Sequence, residues 1–114
     1  MQQTSVLEHR KHKRIDLKKT IILNPGNASL LVNIGKGGLL FKSLKGMVWP
    51  EKWMLDIITN DREWDIEKCP VELVWMKADD EFVGSTVMLE HVGVKFTDLD
   101  QSQKRKLNDL LSQH

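Results

Sequence analysis

The feature that most constrains the fold is a series of short apolar segments, each stopped by turn residues, that fills the middle of the chain. TIIL (20–23) stops at Asn24-Pro25-Gly26-Asn27, ASLLVN (28–33) stops at a glycine-rich break, and GLLFKS (38–43) follows it. Apolar runs this short, bounded by Pro, Gly and Asn, read as strands. Proline presets φ at the second turn position and glycine tolerates φ > 0 at the third, so residues 24–27 predict a tight turn joining a hairpin. Further on, WMLDIIT (53–59) ends at Asn60-Asp61, VELVWMK (71–77) runs into an acidic loop, ADDE (78–81), and FVGSTVMLEHVGVKF (82–96) supplies a long or broken last strand. Gly84 and Gly93 are expected at bulges or bends within it. In VELVW, Val71, Leu73 and Trp75 alternate with Glu72 and Val74, which assigns Trp75 to the core face. Five or six strands of this length close into a barrel more readily than they stay flat.

The period changes at the C-terminus. In DQSQKRKLNDLLSQ (100–113), Asp100 precedes Gln103 by three positions, a variant of the capping box, and Leu107, Leu110 and Leu111 then recur at i, i+3, i+4. One amphipathic helix over about 100–113, laid on the barrel by a narrow leucine face, is predicted.

A chain of 114 residues, 40% hydrophobic and 29% charged, has the balance of one ordinary globular domain. Cys69 is the single cysteine, so neither an intrachain disulfide nor a cysteine metal cluster can form. The first residues, MQQTSVLEH, do not read as a signal peptide, and no apolar run reaches membrane-spanning length. A cytoplasmic protein without membrane insertion is expected.

The formal net charge of +1 conceals an asymmetry. Residues 1–19 hold six Lys/Arg against Glu8 and Asp16, a net +4, while residues 20–114 hold 11 basic and 14 acidic side chains, a net −3. Positive charge confined to HRKHKR (9–14) and its surroundings suits a small anion or a short contact, and a body of net −3 argues against DNA or RNA. The sequence therefore divides into a flexible basic arm, 1–19, and a β-barrel with its helix, 20–114.

Few patterns carry chemistry. NIGKGG (33–38) fails as a dinucleotide fingerprint because position 40 is Leu40, and fails as a P-loop because no Ser or Thr follows Lys36. Taken alone, it is a glycine-rich β turn. Ser85 lies in no G-x-S-x-G, and His9, His12, His91 and His114 lack a ligand pattern, with His9 and His12 among cations that repel a metal. No catalytic residue, metal ligand or cofactor is assigned, and an enzyme is not expected. Trp49, Trp53, Trp64 and Trp75 read as core or rim residues before they read as a platform for bases.

Two local features remain. Arg10 and Arg14 form R-x-x-x-R, and Asn33-x-Gly35-x-x-Gly38 lies at the end of the second predicted strand. With VELVWM (71–76) and GVKFTDLDQSQKRKL (93–107), in this order and spacing, they give the chain a resemblance to the PilZ domain, a bacterial receptor domain for the second messenger cyclic di-GMP. The resemblance implies a six-stranded antiparallel β-barrel of the PilZ-like split-barrel type with a C-terminal α-helix. It also implies a ligand site made of Arg10, Arg14, Asn33, Gly35 and Gly38, in which the arm arginines grip the nucleotide and the second motif holds a guanine. The chemistry suits those residues, since an Arg fork meets guanine O6 and N7 bidentately or pairs with phosphate. Position 35 departs from the pattern, which there has serine; the lost neutral hydrogen bond weakens binding by roughly two- to tenfold. The implied function is a regulatory receptor in second-messenger signalling, of the kind that governs motility and biofilm formation. Nucleotide binding would change its arm and the surface shown to an unidentified effector protein, the chain acting as a monomer or weak homodimer. The alternative is a degenerate PilZ domain that does not bind cyclic di-GMP and serves as a protein-interaction adaptor in pilus or motility regulation.

Overall fold

A computed structural model describes residues 17–60, 62–83 and 87–113. Arg10, Arg14 and the rest of the basic arm before Leu17 lie outside the described residues, as do Gly84 and Ser85. Leu17–Lys19 form a single 3-10 turn in which Leu17 packs against the core and its carbonyl accepts a hydrogen bond from the Thr20 N–H at 3.1 Å.

Six strands follow: β1 (Ile21–Asn24), β2 (Asn27–Ile34), β3 (Gly38–Leu44), β4 (Lys52–Ile58), β5 (Ile66–Val83) and β6 (Val87–Phe96). All neighbours are antiparallel, in the order β1-β2-β3-β6-β5-β4, and β1 pairs with β4 to close the barrel. Closure covers the strand edges within the barrel, while β5 beyond Glu72 runs on paired with β6 alone. The hairpin between β1 and β2 turns at Pro25-Gly26 as the sequence predicts, with Gly26 at φ 87°. Strict alternation on β3 and β4 sends Leu39, Phe41, Trp53, Leu55 and Ile57 inward, where they join Ile22, Leu31, Ile66, Val71, Val92 and Val94.

The α1 helix (Gln101–Leu111) packs against β5 and buries Leu107 and Leu110 in the same core. Its capping box is complete: the Asp100 carboxylate accepts from the Gln103 N–H at 2.7 Å, and Gln103 Oε1 accepts from the Asp100 N–H at 2.9 Å. Gln103 does more than cap. Its Nε2 donates to the carbonyls of Glu67 and Lys68, at 2.8 and 2.9 Å, where β5 bulges and Lys68 takes φ 56°. Gln103→Glu keeps the capping acceptor but sets a carboxylate against two carbonyl oxygens. Net hydrogen bonds contribute about 0.5–1.5 kcal/mol each, so the variant should lose about 1–2 kcal/mol. Thermal unfolding followed by circular dichroism should show a melting point about 4–10 °C below wild type.

Three expectations from sequence are corrected. β5 begins at Ile66 rather than Val71, because Pro70 pairs opposite Met54 and the bulge at residues 67–68 lets the strand run on through it. Residues 78–81 are not a loop; their backbone continues β5, which ends only at Val83, with a register shift between Ala78 and Phe82. Trp75 is not core but 44% exposed. Between Leu73, opposite Val94, and Trp75, opposite Gly93, β5 carries one residue more than β6, and this bulge turns Trp75 to the outer face.

Candidate functional site

The glycine-rich segment becomes the connection between β2 and β3. Gly35 N–H donates to the Gly38 carbonyl at 2.9 Å, closing the turn, and Phe96 N–H donates to the Gly37 carbonyl at 2.8 Å, tying it to β6. Asn33, Gly35 and Gly38 line one shallow cleft of about 200 Å³ together with Ile34, Leu39 and Leu40. Three of the five residues in the proposed ligand set are thus neighbours on one surface. Arg10 and Arg14 lie outside the described residues.

Each of the three has a distinct physical situation. The Asn33 side chain is exposed, and its Oδ1 accepts from the Ile34 N–H at 2.9 Å. With the acceptor engaged, the carboxamide offers its two Nδ2 N–H donors to the cleft. Gly35 has no atom within 4 Å of where a side chain would begin, and its φ lies outside the left-handed region, so a serine fits there without strain. At Gly38 a Cβ would lie 2.1 Å from the Val94 carbonyl oxygen and 2.9 Å from Lys95 Cα. The backbone that requires glycine at position 38 is therefore that of β6.

Sequence reasoning missed one residue of this surface. Asn33 pairs with Leu40, Leu40 with Gly93, and Gly93 with Trp75, so the four make one row across β2, β3, β6 and β5 on the outside of the barrel. At about 4.8 Å per strand the row spans about 14 Å between its end residues. Trp75 shortens that span by placing its indole over Gly93, where a Cβ would meet the indole Nε1 at 2.5 Å. An exposed indole held over Gly93, on the row that holds Asn33, has the shape and polarity to stack on a planar group. The signal lay in the pairing of Trp75 with a glycine, which the period of VELVW alone does not contain.

The other tryptophans support the barrel. Trp53 is buried and donates to Asn24 Oδ1 at 2.9 Å, while Trp49 stacks on Trp53 with ring centres 5.4 Å apart and donates to Glu90 Oε2 at 3.1 Å. Trp64 is half-buried against the core. Cys69 is buried, and burial, aided by the negative charges of Asp56 and Asp100, pushes its thiol up to about 12, far from a reactive thiolate. Among the described residues no three His, Cys, Asp or Glu gather in a way that could hold a metal ion, and no helix is long and apolar enough to cross a membrane.

Among known families, the sequence model of the PilZ domain aligns with residues 8–113, nearly the whole chain. That span takes in both Arg10 and Arg14 as well as the turn, the Trp75 strand and α1. No curated protein and no solved structure matched the chain.

Proposed function

The chain belongs to the PilZ domain family, a family of cyclic di-GMP receptors rather than enzymes, and on that premise we propose that it binds cyclic di-GMP. The site is the outer face around the β2–β3 turn, with the arm brought to it by Arg10 and Arg14. The observation that carries this reading is the convergence of Asn33, Gly35 and Gly38 on one cleft, in register with an exposed Trp75. Guanine presents two acceptors, O6 and N7, on its Hoogsteen edge, and the Asn33 amide and the arginine forks are donors that match it. The indole of Trp75 receives the base face, and the arginines pair with phosphate. Ligand contact with both the arm and the barrel draws the arm onto the barrel, because a ligand favours whichever state it touches more fully. The surface displayed to an effector changes with it.

Gly35 is the one residue that favours the adaptor reading, since the hydroxyl usual at that position is absent. The same residue supplies the test. Calorimetric titration of cyclic di-GMP should show Gly35→Ser binding about two- to tenfold more tightly than wild type, the gain of one neutral hydrogen bond. Equal or weaker affinity in a folded Gly35→Ser variant would show that the missing hydroxyl does not limit binding.

A further inference from the structure

The row next to Asn33–Leu40–Gly93–Trp75 has an unusual composition. Lys42 on β3 pairs with His91 on β6, and His91 pairs with Lys77 on β5, so two lysines flank an imidazole on the outer face of three adjacent strands. Glu90, next to His91 on β6, sits in the neighbouring row with Ser43 and Ala78, is buried on the inner side, and takes the Trp49 indole N–H. Among the described residues no carboxylate forms an ion pair with Lys77 or His91. The outward rows on either side are apolar, Leu40, Gly93 and Trp75 on one and Leu44 and Leu89 on the other.

The row places each lysine opposite His91 and not opposite a carboxylate. It offers donors only from its lysines and at least one N–H from the imidazole in either protonation state. Two residues along a strand is about 7 Å, so the row lies beside the Trp75 surface at a distance comparable with the reach from a guanine across its ribose to the phosphate.

We propose that Lys42, His91 and Lys77 form an anion subsite that receives a phosphodiester of the nucleotide whose guanine lies on Trp75. The inference rests on the cyclic di-GMP reading and adds to it the orientation of the ligand: one guanine toward Asn33 and Trp75, the adjoining phosphate along the β3-β6-β5 face. The arm arginines then serve the opposite side of the ligand.

The test is calorimetric titration of cyclic di-GMP into wild type, Lys77→Gln, His91→Gln and, as a charge-matched control on α1, Lys106→Gln, each at about 50 to 300 mM KCl. Lys77→Gln should bind roughly three- to tenfold more weakly than wild type and with a flatter salt dependence, and His91→Gln should also weaken binding. Lys106→Gln should stay within about twofold of wild type, as a distant exposed charge is screened. The ligand-free melting temperature of Lys77→Gln should equal or exceed that of wild type, which a structural role for the lysine would not allow. If wild type binds but Lys77→Gln and His91→Gln match it in affinity and salt dependence, the subsite is overturned while the receptor reading stands. If wild type itself does not bind, both fall.

Discussion

Gly38→Ala should destabilise the barrel by about 3 kcal/mol, the upper part of the range for overpacking a tightly fitted site. The new methyl group would sit 2.1 Å from the Val94 carbonyl oxygen and 2.9 Å from Lys95 Cα, and both obstacles are backbone. No rotamer change relieves such a clash; β3 and β6 must separate. Separation pulls on the Phe96 N–H bond to the Gly37 carbonyl and on the turn that bond anchors. For a domain of this size the melting temperature should fall by about 10–20 °C in a thermal melt. Gly35→Ala, three residues away in sequence, should melt within a few degrees of wild type or above it, since its side chain enters open space and the unfolded chain loses freedom. A Gly38→Ala variant as stable as wild type would mean that β6 does not press on position 38. It follows that lost ligand binding in a Gly38 variant reports a damaged barrel as well as a damaged cleft, whereas position 35 reports the cleft alone.

Arg14→Ala should abolish cyclic di-GMP binding at submillimolar ligand, with the melting temperature unchanged. An arginine fork on a guanine edge is worth about 1–3 kcal/mol, and a tenfold change in affinity corresponds to about 1.4 kcal/mol, so the loss reaches roughly a hundredfold at the upper end. Arg14→Lys separates charge from shape: lysine keeps the positive charge but cannot present two parallel N–H donors. It should recover only part of the affinity, and full recovery would show that Arg14 acts as a charge alone. Calorimetry on the full chain provides both comparisons, and wild-type affinity in Arg14→Ala would remove the arm from the site.

Where turn chemistry and periodicity are local, the fold was legible in the sequence. Pro25-Gly26 announced the first hairpin, the glycine break announced the second connection, and Asp100 with Gln103 and the leucines of 107–111 announced the helix. What escaped was set by pairing across strands. Pro70 looks like a strand breaker until β4 is placed beside it, and Trp75 looks like a core residue until one extra residue in β5 turns it outward over Gly93. A bulge leaves no mark in the period of its own strand, because the partner decides where the count slips. The candidate site divides in the same way. Asn33, Gly35 and Gly38 were visible as a motif, but Trp75 joined them only through the register of four strands.

Backbone chemical-shift mapping of the wild-type chain with cyclic di-GMP tests the central claim most directly. Saturable shifts are expected at the amides of Asn33, Gly35 and Gly37 and at the indole N–H of Trp75, with the amides of Met54 and Ile57 on β4 left in place. No shift at submillimolar nucleotide, or shifts confined to β4 and α1, would contradict it.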